Sequence, residues 1–372
     1  MFTNNDCQMN KSSVFFKIKE IICLFTLLFV FVLVGITSLT LPANAATNES
    51  NSSLVSLVPA ASNPPLLNPT FEREKVHVGI TPTGWSNGDD PTIDLTPPIP
   101  FQQILSEMAL SNYEGSQTSG KYPENIEDLQ RELKIRNLTI SEPWVGTKFT
   151  EVGQEDETLK EFQKQMEFMQ QIGGTSIVVA ELGYAVHQKK CVDPLLNRPH
   201  FNNQQWSKMV KGLNTLGKLA KENGMQLMYH PHIGTGVETL TDIDRLMQDT
   251  NPEYVNLLLD TGHLYYAGVD PLEVAQKYSD RIKHVHLKNI RQSILQESID
   301  TGRSFLDSIR AGIFTVPGDL AGAIDFQPIL QTLATANYQG WLMVEAEQDP
   351  NQANPLQYAL MARQYLEKVI GF

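Results

Sequence analysis

Apolar residues along this chain fall into short continuous runs, separated by stretches in which they recur at helical spacing. Eight runs have the length of buried strands: 76–81 (VHVGIT), 113–117 (YEGSQ), 138–144 (LTISEPW), 176–181 (SIVVAE), 225–230 (MQLMYH), 255–260 (VNLLLD), 282–287 (IKHVHL) and 341–346 (WLMVEA). Runs of this length fit strands covered on both faces. Segments 101–110, 159–173, 206–224, 271–281, 326–337 and 355–370 carry apolar residues three and four apart, as one face of a helix does. Strands alternating with helices predict a parallel sheet with helices outside, and eight such units predict a (β/α)8 barrel over residues 75–372. A doubly wound open sheet shares the alternation, but no G-x-G-x-x-G follows the first run.

The first 45 residues read differently. Lys11, Lys17 and Lys19 precede an apolar run from Ile21 to Ile36, and Ala43-Asn44-Ala45 follows. A basic segment, an apolar core and an A-x-A site make a secretory signal. The run also fits an uncleaved anchor spanning residues 21–41. Either reading predicts an exported protein, periplasmic or extracellular. Residues 46–74, rich in Asn, Ser and Pro, read as a flexible linker. The chain has a net charge of −13 and no basic run in its body, which argues against nucleic acid as a partner.

Four runs in the second half end in groups that bind divalent metals: His230, Asp260, His286 and Glu345. In a closed parallel barrel, reactive groups sit at the C-terminal ends of the strands. Side chains alternate faces along a strand. Met228, His230 and His232 share one face; Leu258 and Asp260 share another. His284, His286 and Lys288 align, as do Met343, Glu345 and Glu347, and Val179 with Glu181. All these polar groups are expected to point into the barrel. Singly, each has an ordinary explanation. A strand-end Asp often caps the next helix, and a His is often a hydrogen-bonded core residue. Four such residues on four strands predict a metal site. Two imidazoles and two carboxylates suit Mn or Co first, with Zn, Fe or Ni also compatible, and disfavour calcium.

Other residues near these strand ends carry candidate roles. Glu181, His232, His263 and Glu347 are candidate proton-transfer groups. Glu181 is also an alternative ligand to His230. Lys288 can neutralise a developing enolate or pair with a carboxylate. Trp85 and Trp144 can wall a sugar-like ring or pack in the core, and Gln117 and Lys121 can bind hydroxyls. Residues 304–326 form a long insertion after the seventh strand, placed to cover the pocket or to form a homo-oligomer contact.

With these residues in place, the chain resembles the xylose-isomerase-like TIM-barrel superfamily of sugar isomerases and epimerases. Within it, the similarity is to the inosose (2-keto-myo-inositol) dehydratases of inositol catabolism. The matching stretches include GITPTGWSNGDDP, HPHIGTGVET, LLLDTGHLYYAGVDPL, RIKHVHLKNIR, SFLDSIRAGIFTVPGD and GWLMVEAEQDP. The resemblance implies metal ligands at His230, Asp260, His286 and Glu345, although many relatives carry Glu at the first position. Gln117 stands where the dehydratase pattern has Glu. The resemblance implies a lyase that removes water from a polyol ketone through an enolate. A sugar isomerase or epimerase would share the enolisation step, and an exported, non-catalytic polyol-binding protein is the third reading.

Overall fold

The computed structural model describes residues 66–372, within a compact unit that runs from Asn63 to Phe372. The expected signal or anchor and most of the expected linker lie outside the described residues. Among the described residues, no helix is long and apolar enough to cross a membrane.

The sheet contains strands β1 (Val76–Ile80), β2 (Gly115–Ser116), β3 (Thr139–Ile140), β4 (Trp144–Thr147), β5 (Ser176–Glu181), β6 (Gln226–Tyr229), β7 (Val255–Asp260), β8 (Ile282–Leu287) and β11 (Gly340–Val344). All neighbours are parallel, in the order β3-β2-β1-β11-β8-β7-β6-β5-β4. The two ends of this list are one broken strand. The run 138–144, expected to be continuous, is interrupted at Ser141, Glu142 and Pro143 because Pro143 has no N–H to give to a ladder. The break still bonds on both sides: Thr118 N–H donates to the Glu142 carbonyl at 3.0 Å, and Val178 N–H to the Pro143 carbonyl at 3.1 Å. Eight strand positions therefore close into a (β/α)8 barrel.

The helices follow the expected pattern. Phe101–Leu110, Glu155–Ile172, Asn203–Glu222, Pro271–Tyr278, Phe326–Thr335 and Pro355–Ile370 cover the outside. Their apolar stripes meet Ile177, Val179, Leu227, Tyr229, Leu257, Leu259, Val285 and Leu287 in one large core. Burying each such side chain contributes about 1.5–3 kcal/mol. A second, small cluster of Val178, Met228 and Leu258, with Trp144 against it, fills the barrel interior. Sheet parity is fixed by which cluster a residue joins. Met228 and Leu258 place His230 and Asp260 on the inward face. Val179 belongs to the outer core, so Glu181, of the same parity, points away from the barrel axis. Val179 and Glu181 thus face the helix layer, against the expectation that they face inward.

The packed body begins earlier than expected. Leu67 and Phe71 are buried, Leu67 N–H donates to the Val369 carbonyl at 3.1 Å, and Phe71 meets Tyr338 edge-on. The end of the 46–74 linker is thus part of the fold, because Leu67 and Phe71 find a place against Val369 and Tyr338.

The insertion after β8 is larger than 304–326. It holds the short antiparallel pair β9 (Asn289–Ile290) and β10 (Phe314–Thr315), and helices Gln292–Thr301 and Phe305–Arg310. Arg291 ties it together, donating to the Gly312 carbonyl at 2.7 Å and to Asp319 at 2.9 Å.

Candidate metal centre

Strand register brings the candidate ligands to one level. Asp260 on β7 pairs with His286 on β8, and Met343 on β11 also pairs with His286. Glu345 follows Met343 by two residues and therefore rises on the same face. The result is a buried group: His230, Asp260, His286 and Glu345 are all at most 7% exposed. His230 Nε2 lies 3.3 Å and His286 Nδ1 3.5 Å from Asp260 Oδ2, and Glu345 Oε2 is in contact with His286 Nδ1. None of these four donor atoms has a well-formed hydrogen bond. Bare, buried polar atoms cost about 1–3 kcal/mol each unless something binds them. Asp260, His286 and Glu345 offer atoms close enough to hold one ion, and His230, Asp260 and His263 do the same. The set of imidazole nitrogens and carboxylate oxygens fits a divalent transition metal.

Asp260 serves two purposes. Its Oδ1 accepts from His263 N–H at 2.9 Å and caps the helix Thr261–Tyr266, while Oδ2 faces the cluster. The capping explanation and the ligand explanation thus use different oxygens of one carboxylate.

Charge is unevenly balanced here. Burial alone would lower Lys288, but Asp260, Glu345 and Glu347 outweigh it and raise the ammonium well above its ordinary value. Its Nζ is 2.7 Å from Glu347, 2.9 Å from His263 Nε2, and 3.4 Å from both Asp260 and Glu345. Gly262 makes room for it: a Cβ there would lie 2.5 Å from Lys288 Cγ. Burial pushes Glu347 up to about 8. Asp260 and Glu345 are held below the usual carboxylate range against the effect of burial, Asp260 first by Lys288 and Glu345 first by His286.

The two other histidines are neutral. Burial, reinforced by neighbouring imidazoles and Lys288, holds His232 and His263 well below the ordinary histidine value. His232 Nδ1 lies 2.9 Å from the Ile233 carbonyl, which places its proton there and leaves Nε2 with a free lone pair. Lys288 donates to His263 Nε2, so the His263 proton is on Nδ1. The two rings are 3.8 Å apart between centroids.

Glu181 lies outside this cluster. Its oxygens accept from Thr147 Oγ1 (2.8 Å), Phe149 N–H (3.0 Å), Thr150 N–H (3.2 Å), Thr150 Oγ1 (2.8 Å) and Gly183 N–H (3.2 Å). The geometry gives it a loop-holding task rather than proton transfer or metal ligation. Trp85 is likewise in the outer core, 1% exposed, with its indole N–H donating to Glu107 at 2.5 Å, so it does not wall the site. Trp144 does reach the site, donating to His230 Nδ1 at 3.1 Å, which puts the His230 proton on Nε2, facing Asp260 Oδ2, and makes His230 the weakest member of the ligand set. Gln117 is buried at the end of β2, and Lys121, partly exposed, pairs with Asp94 at 3.2 Å.

The insertion closes over the imidazoles. Phe305 lies 5.6 Å from His232 and 5.9 Å from His263, Phe314 lies 5.7 Å from His263, and the Lys288 ammonium sits 5.0 Å from the Phe314 ring centre.

Three buried residues carried no assigned role in the sequence reading. Glu142, in the broken strand, faces His284 at 3.3 Å and His286 at 3.5 Å. Burial would push its carboxyl up, but the two imidazoles outweigh that and hold it down at about 2. His284 fills the barrel one layer below His286. His187, in the loop after β5, stacks edge-on with His232 at 4.9 Å. A Pro directly after Glu142 was the available signal for the first; His187 had none.

Comparison with known proteins agrees with this geometry. The model of the xylose isomerase-like TIM barrel family matches residues 105–369. The inosose dehydratase of Clostridium botulinum (strain Alaska E43 / Type E3) is 46% identical over 299 residues, covering 80% of this chain and 98% of that protein. Among solved structures, the probable 3-DHS dehydratase AsbF of Bacillus anthracis superposes with a TM-score of 0.60 at 16% identity, covering 78% of this chain and 98% of that one. The IOLI protein with a binding zinc atom gives 0.58 at 17% identity, covering 79% and 98%. The chain belongs to the xylose isomerase-like TIM barrel family.

Proposed function

We propose that this member of the xylose isomerase-like TIM barrel family is a metal-dependent dehydratase, a lyase that removes water from a polyol ketone, with 2-keto-myo-inositol as its first candidate substrate. The identity to an inosose dehydratase over nearly all of that protein's length supports the reaction class. The observation that carries the metal dependence is the convergence of bare donor atoms from Asp260, His286 and Glu345, with His230 facing the same Asp260 oxygen. A divalent ion bound there would polarise the substrate carbonyl.

The chain's own residues then divide the proton work. His232, neutral and with a free Nε2, is the base that takes the proton α to the carbonyl. Glu181 drops out of that role because its oxygens are fully occupied. Negative charge developing on the carbonyl oxygen is stabilised by the Lys288 ammonium, which is fixed in place by three acids and shielded from water by Phe314. Glu347, whose carboxyl burial pushes up to about 8, gives a proton to the departing β-hydroxyl, and the neutral His263 hydrogen-bonds that oxygen through Nδ1–H. Phe305 and Phe314 exclude water from the rings that move these protons.

The test is to strip the protein with a chelator, reload it separately with Mn²⁺, Co²⁺ or Zn²⁺, and supply 2-keto-myo-inositol. Growth of a near-ultraviolet absorbing diketone only in the reloaded samples supports the proposal. Exchange of an α-proton with solvent deuterium, without loss of water, would replace it with an isomerase or epimerase. Binding of the ketone without either change would make the chain a polyol-binding protein.

We propose further that the chain is exported, on the strength of Lys11, Lys17, Lys19, the apolar run 21–36 and Ala43-Asn44-Ala45. N-terminal sequencing of protein recovered from the producing cells decides this: a start near Ala46 supports a cut signal, and cytoplasmic recovery of the whole chain refutes export.

A further inference from the structure

We propose that Glu142 is a positioning residue for the metal centre, fixing the proton of His286 so that Nδ1 is presented to the ion. The inference rests on the metal-dependent reading above. His286 lies between two sets of acids. Its Nδ1 faces Asp260 Oδ2 at 3.5 Å and touches Glu345, while its Nε2 faces Glu142 Oε1 at 3.5 Å. A neutral imidazole has one N–H and one lone pair, and a metal takes the lone pair. Once an ion on the Asp260 and Glu345 side takes the Nδ1 lone pair, the single proton of the ring sits on Nε2, facing Glu142. An acid in that position orients the ring and increases the basicity of the nitrogen that binds the ion.

The fold supplies Glu142 for this purpose at some cost. It sits in the interruption between β3 and β4, where Pro143 ends the ladder, and it is fully buried. A buried carboxylate is tolerated only if it is paired. Its second oxygen faces His284 Nε2 at 3.3 Å, and His284 is itself fully buried. His284 and His286 share the inward face of β8, so the H-x-H spacing lets one strand supply both partners of Glu142. His284 and His286 are thus the two groups that face the acid, and His286 turns its other nitrogen toward Asp260 and Glu345.

Glu142→Gln keeps the shape and removes the charge. Its dissociation constant for Co²⁺, measured by chelator competition on the full barrel protein, is expected to rise about 10–100-fold. The visible absorption of bound Co²⁺ is expected to shift, because the ring is no longer fixed. The thermal transition of the metal-free protein should stay cooperative, which separates this from general loss of structure. Glu142→Asp keeps the charge and is expected to recover part of the affinity; it also serves if the Gln variant does not fold. Co²⁺ affinity and spectrum equal to wild type in both variants would overturn the positioning role. A second Co²⁺ equivalent in wild type that disappears in Glu142→Gln would also overturn it, since Glu142 would then be a ligand. If wild type itself binds no Co²⁺, the metal reading fails and this inference falls with it, a result distinct from failure of the variants alone.

Discussion

Glu181 and Asp260 are both acids that end an apolar strand at the C-terminal rim of the barrel, and they are buried to the same degree. Their surroundings are opposite. Glu181 accepts five hydrogen bonds from the loops beside it. Asp260 leaves Oδ2 bare among His230, His286 and Lys288. The strand-end position of an acid therefore does not mark a ligand. What marks a candidate is an oxygen left without a protein donor among groups that can share an ion. Glu142, whose oxygens face only the two imidazoles of β8, carries the same mark, which is why its Co²⁺ test has a ligand outcome.

The largest effect should come from breaking the bare side of this comparison. Asp260→Ala removes the oxygen that both imidazoles face, and also the cap of the helix Thr261–Tyr266. Metal analysis of the purified variant should find no retained ion, and turnover should vanish. Full retention of metal would show that the convergence on Asp260 Oδ2 is not a ligand set.

His263→Ala comes next. The residue is adjacent to the ligands, and its Nδ1–H would hydrogen-bond the departing oxygen, so the ion should remain while turnover falls on the order of 10²-fold. A variant with full activity would remove His263 from the proton path and leave Glu347 as the acid.

The satisfied side of the comparison predicts a stability effect instead. In Glu181→Gln, whichever oxygen becomes an amide nitrogen faces a backbone N–H that cannot turn away, from Phe149 on one side or Thr150 and Gly183 on the other. Unfolding should become easier by about 1–3 kcal/mol, read from chemical denaturation, with metal content unchanged. Loss of metal without loss of stability would restore Glu181 to the ligand set.

The same contrast explains what was legible in the chain. Continuous apolar runs gave β5, β7 and β8 to the residue, because buried parallel strands need apolar side chains on both faces. His230, Asp260, His286 and Glu345 were legible because they end four successive such runs. Parity along one strand, however, does not say which face is inward. For β5 that was settled by Val178 packing with Met228 and Leu258, a relation between strands that no single run contains. Glu142 was hidden inside a run that looked continuous, and its partners lie on β8, more than a hundred residues away. Leu67 and Phe71 look like tether because their neighbours are Asn and Pro, and only Val369 and Tyr338, far along the chain, reveal where they bury.

Glu238 offers the smallest and finest test, because it lies between the two extremes. It accepts from Gly234 N–H at 2.6 Å and faces Arg198 at 3.3 Å, fewer partners than Glu181 has. Burial dominates and pushes its carboxyl from 4.5 up to about 8, with Arg198 only partly opposing. A raised folded value means that the native state holds this proton more tightly than the unfolded chain does. The stability it contributes is therefore complete below 4.5 and is lost as pH rises through about 8. Glu238→Gln cannot ionise, so its unfolding free energy should fall less than that of wild type across this window. Denaturation curves at pH 5 and pH 8, taken for both proteins, measure the difference. Parallel behaviour would mean that Arg198 and the Gly234 amide already satisfy the charge, which would place Glu238 beside Glu181 among the paired acids.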